Sequence, residues 1–262
     1  VTESRRNIAE QLIPKLIALT GARRLVVRTA PLPPPTPVPN SERAGTGGKR
    51  TTPFAVLTVG SSTGGPDALA VILRALPADL PVPVVVVQHM PPVFTRMLAQ
   101  RLDSICKLSV SEAAEGDLVE RGRVLIAPGG SHLEVRTKGA TVVAHLTDAP
   151  PENFCRPAVD VLFRSVSAVY RNRVLGVVLT GMGRDGAQGA TTIRTAGGEM
   201  FAQDEATSVV WGMPGAVTTA GQADRVLPLE QMAAQITAAL AKNQERSPGR
   251  HTSPPMPSGV GA

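Results

Sequence analysis

Ser62 stands in the run F-A-V-L-T-V-G-S-S-T-G-G-P-D at residues 54–67, where Gly60, Ser62 and Gly64 make the spacing G-x-S-x-G. On a tight strand-to-helix turn that spacing presents a serine hydroxyl as a nucleophile. A hydroxyl attacks a carbonyl only when a base takes its proton, and an imidazole serves as that base when a carboxylate fixes its tautomer from behind. His89, after the run V-V-V-V-Q, and Asp185, in G-M-G-R-D-G, supply those two residue types. Attack on an acyl carbonyl also creates an oxyanion, which backbone N–H groups of a glycine-rich loop can hold. Met182, between Gly181 and Gly183, is the expected donor. Each residue also has a plainer reading. Ser62 and Asp185 could cap the helices that follow them, and His89 could be a hydrogen-bonded histidine at a strand end.

Other loops offer rivals. His132 follows A-P-G-G-S at a turn and is a second candidate for the site, Asp204 in Q-D-E-A-T-S is an alternative carboxylate, and His145 alternates within a strand and reads as structural. Phosphate-binding loops fit poorly: Gly60, Gly64 and Gly65 match neither G-x-G-x-x-G nor G-x-x-x-x-G-K-[ST]. Where a dinucleotide fold places an acid for the ribose, this chain has His89. The order Ser, His, Asp also disfavours an α/β-hydrolase, whose histidine comes last, because the only late histidine is His251 in the tail.

The elements that must position these residues follow from periodicity. Residues 54–59 and 82–87 are apolar, β-prone runs, and residues 67–76 place Leu69, Ile72, Leu73 and Leu76 on one helical face. Strand readings at 174–180 and 199–202 alternate with helices at 94–105, 156–170 and 229–240, the signature of an α/β fold with a parallel sheet. Residues 108–146 hold short alternating runs separated by glycine turns, read as small antiparallel strands. The expected fold is therefore α/β, a doubly wound, mostly parallel sheet flanked by helices, with a small antiparallel excursion around 108–146. Loops after parallel strands share one sheet edge, so Ser62, His89 and Asp185 are expected to converge there.

The flanks differ from this body. Residues 1–50 combine apolar positions at helical spacing (Ile8, Leu12, Leu16 and Leu19) with the run P-L-P-P-P-T-P-V-P, and read as a linker with a short amphipathic helix. Residues 242–262, rich in Pro, Ser and Gly, read as a disordered tail. The formal charge of +6 belongs to these flanks: residues 51–241 hold 15 Lys/Arg against 17 Asp/Glu, a net charge of −2. With 1 Trp, 1 Tyr and 5 Phe there is little to stack on bases, so a nucleic-acid partner is not expected. Cys106 and Cys155 show no metal-ligand spacing and read as buried, reduced thiols, and no apolar run reaches the length of a membrane span. A cytoplasmic protein is expected.

Taken together, G-S-S-T-G-G at 60–65, V-V-V-V-Q-H-M-P at 84–91, I-A-P-G-G-S-H at 126–132, R-P-A-V-D at 156–160, L-T-G-M-G-R-D-G at 179–186 and G-M-P-G-A at 212–216 resemble the catalytic domain of the bacterial chemotaxis protein-glutamate methylesterases, the CheB family. The likeness covers residues 53–241. It implies Ser62 as nucleophile, His89 as base, Asp185 as orienting acid, the Met182 amide in the oxyanion hole and Thr63 as a supporting residue, with His132 and Arg156 as substrate-contact candidates. The implied reaction is hydrolysis of γ-glutamyl methyl esters on the cytoplasmic helices of methyl-accepting chemoreceptors, with deamidation of particular glutamines, and neither metal nor organic cofactor. Members of the family usually carry an N-terminal phosphorylatable receiver domain, for which residues 1–50 leave no room. The chain, opening on Val1, is read either as a piece of a longer protein or as a form without that control. Two other classes remain open, a Rossmann-like nucleotide-binding protein and a receptor-binding module without catalysis.

Overall fold

The computed structural model describes residues 52–241. The expected linker helix, the Pro-rich run, and the tail with His251 lie outside them. Along the described chain run β1 (Val56–Ser61), α1 (Gly65–Ala75), β2 (Val84–Gln88), α2 (Phe94–Asp103), β3 (Ser109–Glu112), β4 (Arg123–Ile126), β5 (His132–Lys138) and β6 (Thr141–Thr147). There follow α3 (Val159–Tyr170), β7 (Val174–Val178), α4 (Ala187–Thr195), β8 (Glu199–Gln203), α5 (Met213–Thr219), β9 (Arg225–Leu227) and α6 (Leu229–Ala241).

Seven strands form one parallel sheet in the order β3-β4-β2-β1-β7-β8-β9. The central strands are apolar at nearly every position because both faces of the sheet are covered. Leu57, Val59, Val84 and Val86 face α1, α2 and α6, where they meet Leu69, Ile72, Leu102, Met232 and Ile236. Val56, Val85 and Val87 turn the other way, onto Leu162, Phe163 and Val166 of α3, Ile193 of α4 and Met213 of α5. Each Val or Leu fully removed from water there contributes about 1.5–3 kcal/mol.

The doubly wound α/β architecture is thus the one read from the sequence, with a narrower antiparallel part. Within residues 108–146, β5 and β6 pair antiparallel as a hairpin packed on α3, with one isolated antiparallel bridge between Leu118 and Val143 beside it; β3 and β4 join the edge of the parallel sheet. Short alternating strands carry no mark of their direction, which is set by the crossover through α2. Strand bounds also move toward the loops: β1 and β2 end on Ser61 and Gln88, polar residues that pair across the strands and are buried.

Candidate active site

The chain leaves β1 for β2 on one side and later returns to β7 on the other, so β1 sits where the winding of the sheet reverses. The crevice beyond the carboxyl ends at such a point is where open α/β sheets receive ligands. Ser62 directly follows β1, His89 directly follows β2, and Asp185 lies in the loop after β7.

Ser62 sits on a turn closed by its own carbonyl, which accepts the Gly65 N–H at 2.8 Å. Gly64 takes φ 80°, the left-handed region open to glycine, and forms the N-cap of α1. The cap role is thereby filled by backbone, and the Ser62 hydroxyl has no hydrogen-bond partner among the described residues. His89 donates its backbone N–H to Ser61 O at 3.0 Å. The register pairs Ser61 with Gln88, and paired strands lie about 4.8 Å apart, so residues 62 and 89 start from neighbouring backbone positions. Gln88 fastens the two tips together. Its Oε1 accepts the Ser61 hydroxyl at 2.8 Å, and its Nε2 donates to Ser62 O at 2.9 Å and to His89 O at 3.0 Å.

The imidazole Nε2 of His89 lies 2.7 Å from Asp185 Oδ2. That carboxylate also accepts the Val159 N–H at 2.6 Å on Oδ2, and the Asp160 N–H, the Gly186 N–H and the Asn153 amide at 2.9–3.0 Å on Oδ1. Asp185 therefore sits at the amino end of α3, where a helix favours negative charge. Burial alone would raise its pKa, but the His89 ring and the α3 N–H groups outweigh burial and hold it below the ordinary carboxylate value. An ionised Asp185 can only accept, so Nε2 carries a hydrogen in either charge state, and in the neutral ring Nδ1 is the nitrogen with the lone pair. Burial opposes protonation of His89, yet the hydrogen bonds and charges of Asp185 and Cys155 prevail and raise its pKa from 6.5 to about 9.

Behind Asp185 lies a second buried acid. Asp160 accepts the Gly189 N–H at 2.6 Å and shares the Asn153 amide group with Asp185. Burial pushes its pKa up; the Gly189 N–H opposes the shift and the Asp185 charge adds to it. The two carboxyls are thus driven apart, Asp185 toward the charged form and Asp160 toward the protonated one.

The β7 loop closes on the serine. A Cβ added at Gly181 would fall 2.8 Å from Ser62 Cβ, so only glycine allows this approach. Gly181 is pinned by donating to Val210 O and by accepting the N–H groups of Gly212 and Met213. The next residue, Met182, exposes its side chain, and its backbone N–H has no acceptor among the described residues.

The remaining candidates are committed elsewhere. Thr63 is exposed and offers its carbonyl to the Thr180 hydroxyl. His132 is buried, accepting the Ala158 N–H on Nδ1 and bonding Pro150 O through Nε2, which ties two loops together. Arg156 donates to the carbonyls of Asp148 and Ala149. Asp204 organises the turn to Thr207, and His145 pairs with Glu115 at the surface.

Gln88, Asn153, Cys155 and Asp160 carry much of this geometry and were not expected to. Cys155 is half-buried and places Sγ 3.5 Å from His89 Nδ1, rather than lying inert in the core. Its position next to the R-P-A-V-D run was the only local signal. His89, Cys155 and Asp185 bring ligand-type atoms within 4.8 Å of one another. With five N–H groups on its two oxygens, Asp185 has no lone pair to spare for a metal, and the group reads as a hydrogen-bonded relay.

Around the relay the surface is open and apolar. Phe154, beside Cys155, is fully exposed, as are most of Met182 and of Val209, whose side chain packs on Gly64. Two clefts among the described residues, one between α2 and β3 and one between α1 and α6, do not include Ser62, His89 or Asp185.

Comparison with known proteins adds to this geometry. The family described as CheB methylesterase matches residues 57–236. A protein-glutamate methylesterase/protein-glutamine glutaminase of Trichodesmium erythraeum is 54% identical over 181 residues, covering 69% of this chain and 51% of the relative. One of the same name from a Nocardioides species is 49% identical over 248 residues, covering 93% of this chain and 66% of the relative. The chain thus spans about half to two thirds of the length of these curated relatives. The crystal structure of the Thermotoga maritima CheB methylesterase catalytic domain superimposes with a TM-score of 0.70 at 43% identity, covering 71% of this chain and 98% of that one.

Proposed function

The chain belongs to the CheB methylesterase family, and from that premise we propose that it is a protein-glutamate methylesterase, with glutamine deamidase activity, in which Ser62, His89 and Asp185 act as a catalytic triad. The observation that carries this reading is the 2.7 Å bond between His89 Nε2 and Asp185 Oδ2 at the crevice where the Ser62 hydroxyl stands without a partner.

In this reaction Ser62 Oγ attacks the γ-carbonyl carbon of a glutamyl methyl ester as its proton passes to His89 Nδ1. Asp185 stabilises the imidazolium, and the Met182 N–H receives the oxyanion. Collapse expels methanol, protonated by His89, and leaves an acyl group on Ser62. Water, deprotonated by the same ring, then releases the glutamate; a glutamine substrate follows the same course with ammonia as leaving group. The substrate is a helical segment of a methyl-accepting chemoreceptor, supported by the exposed apolar side chains of Phe154, Met182 and Val209 on the residues next to the relay. Among the described residues no helix is long and apolar enough to cross a membrane.

The test is methanol release from a methylated receptor. Ser62→Ala and His89→Ala are expected to lose nearly all of it, and Asp185→Asn to fall by about 10⁴-fold through the wrong imidazole tautomer. Unchanged release by Ser62→Ala would remove the mechanism, and no release by the wild type would leave a receptor-binding module.

A further inference from the structure

Cys155 is the nucleophilic side chain at this site that ester hydrolysis does not use. Its sulfur stands 3.5 Å from His89 Nδ1, the ring atom that carries the lone pair when the imidazole is neutral, while Asp185 holds the opposite nitrogen at 2.7 Å. Nucleophile, base and orienting carboxylate in one line are the arrangement that activates a weak nucleophile, and here the line is complete with sulfur.

The chain fixes Cys155 in this position. Its backbone N–H and carbonyl exchange hydrogen bonds with those of Glu152 at 2.9 and 3.1 Å, across Asn153 and Phe154, which take φ 51° and 62°. Asn153 is anchored on Asp185 and Asp160, and Glu152 is gripped by the Arg164 guanidinium through two bonds of 2.6 Å. The thiol is only partly covered, so a small reagent can reach it. Cys106, the other cysteine of the chain, provides an internal contrast. Burial and the Asp103 charge push its thiol pKa up, and among the described residues no base is hydrogen-bonded to it.

We propose that Cys155 is a second nucleophile served by the same base, and that its oxidation by hydrogen peroxide is a modification that silences ester hydrolysis. Sγ attacks one peroxide oxygen, so that an S–O bond forms as the O–O bond breaks. Sulfur gives up two electrons and the peroxide is reduced. The thiol proton passes to His89 Nδ1 and on to the departing hydroxide, leaving Cys155 as a sulfenic acid and releasing water. The new S–OH lies against Nδ1, donates to it, and keeps the ring from Ser62. A small thiol reverses the change, first forming a mixed disulfide with loss of water and then freeing Cys155 by exchange. The silencing rests on the methylesterase reading; the reactivity of the thiol does not.

Two measurements separate these parts. In the wild-type protein at neutral pH, iodoacetamide labelling followed by peptide mass is expected to modify Cys155 at least about 10-fold faster than Cys106, a margin below the ~10²–10⁴-fold that a positioned base supplies. His89→Gln is expected to abolish that advantage while Cys106 reacts as before. Equal wild-type rates, or a ratio unmoved by His89→Gln, would overturn the proposal. In the second, peroxide-treated protein is expected to give a dimedone adduct on Cys155, and to lose methanol release in a manner that dithiothreitol restores. Absence of the adduct, or an equal peroxide loss in Cys155→Ala, would also overturn it. A wild type that releases no methanol before peroxide defeats the esterase reading, while labelling and dimedone capture still decide whether Cys155 is the second nucleophile.

Discussion

Asp185 is tied down by five N–H groups, and this fixes which nitrogen of a neutral His89 ring carries the lone pair. The ring's raised affinity for a proton has a kinetic consequence. Because its pKa lies near 9 in the resting structure, the lone-pair form is the minority at neutral pH, and kcat/KM for methanol release is expected to climb with pH toward a limb near 9. The groups facing the ring are Asp185 and Cys155, and both raise that pKa. Cys155→Ala removes one raising influence and keeps the opposing burial, so the limb is expected to shift to lower pH. A pH–rate profile of this variant with the limb unmoved, or moved upward, would show that the sulfur does not act on the ring. At this scale the sequence singles out Ser62, His89 and Asp185, because each sits in a run whose spacing carries chemical meaning, and the structure places each beyond a strand tip at the same sheet edge. It gave no sign of the contact between Cys155 and the ring, which depends on two consecutive left-handed residues, Asn153 and Phe154, that no composition rule marks as such.

At the scale of elements, the site is a set of strand tips held in register. Gln88 is the fastener, since one amide bonds the carbonyls of Ser62 and His89 and the hydroxyl of Ser61. Gln88→Leu keeps the volume but leaves those buried groups unpaired, at a cost of about 1–3 kcal/mol for each buried group left without a partner. The expected outcome is a protein that still folds, with a lowered melting temperature and a fall of about 10²-fold in kcat from misplacement of serine against imidazole. Circular dichroism and the methanol assay check this together, and an unchanged kcat would show that strand pairing alone positions the two tips. Most elements were legible because their apolar period was strong, as in β1, α1 and α3. The exceptions were α5, whose seven residues include a proline, a glycine and three β-branched residues, and β3 and β9, each of four residues or fewer at the sheet edges. Segments that short take their structure from the neighbours they pack on.

For the whole molecule, strand order does what no single motif can, by bringing residues 62, 89 and 185 to one crevice through the reversal of winding at β1. The alternation of strand and helix made the α/β class legible, and the rule about crossover loops predicted the shared edge. Charge at this scale was read correctly only by location, because the basic overall balance hides a body of net charge −2 across residues 51–241. The β5–β6 hairpin, outside the main sheet, has its tip at Gly139, where an added Cβ would meet nothing within 4 Å. Cleavage at that exposed tip would leave serine and histidine on one fragment and aspartate on the other, joined without a covalent link by β1 pairing with β7, by β5 pairing with β6, and by the packing of α3 and α6. Neither fragment alone is expected to hydrolyse ester, and the two produced together are expected to regain it, so that the hairpin becomes the seam of a split reporter whose signal is methanol; activity in either fragment by itself would mean that the relay is not shared across that seam.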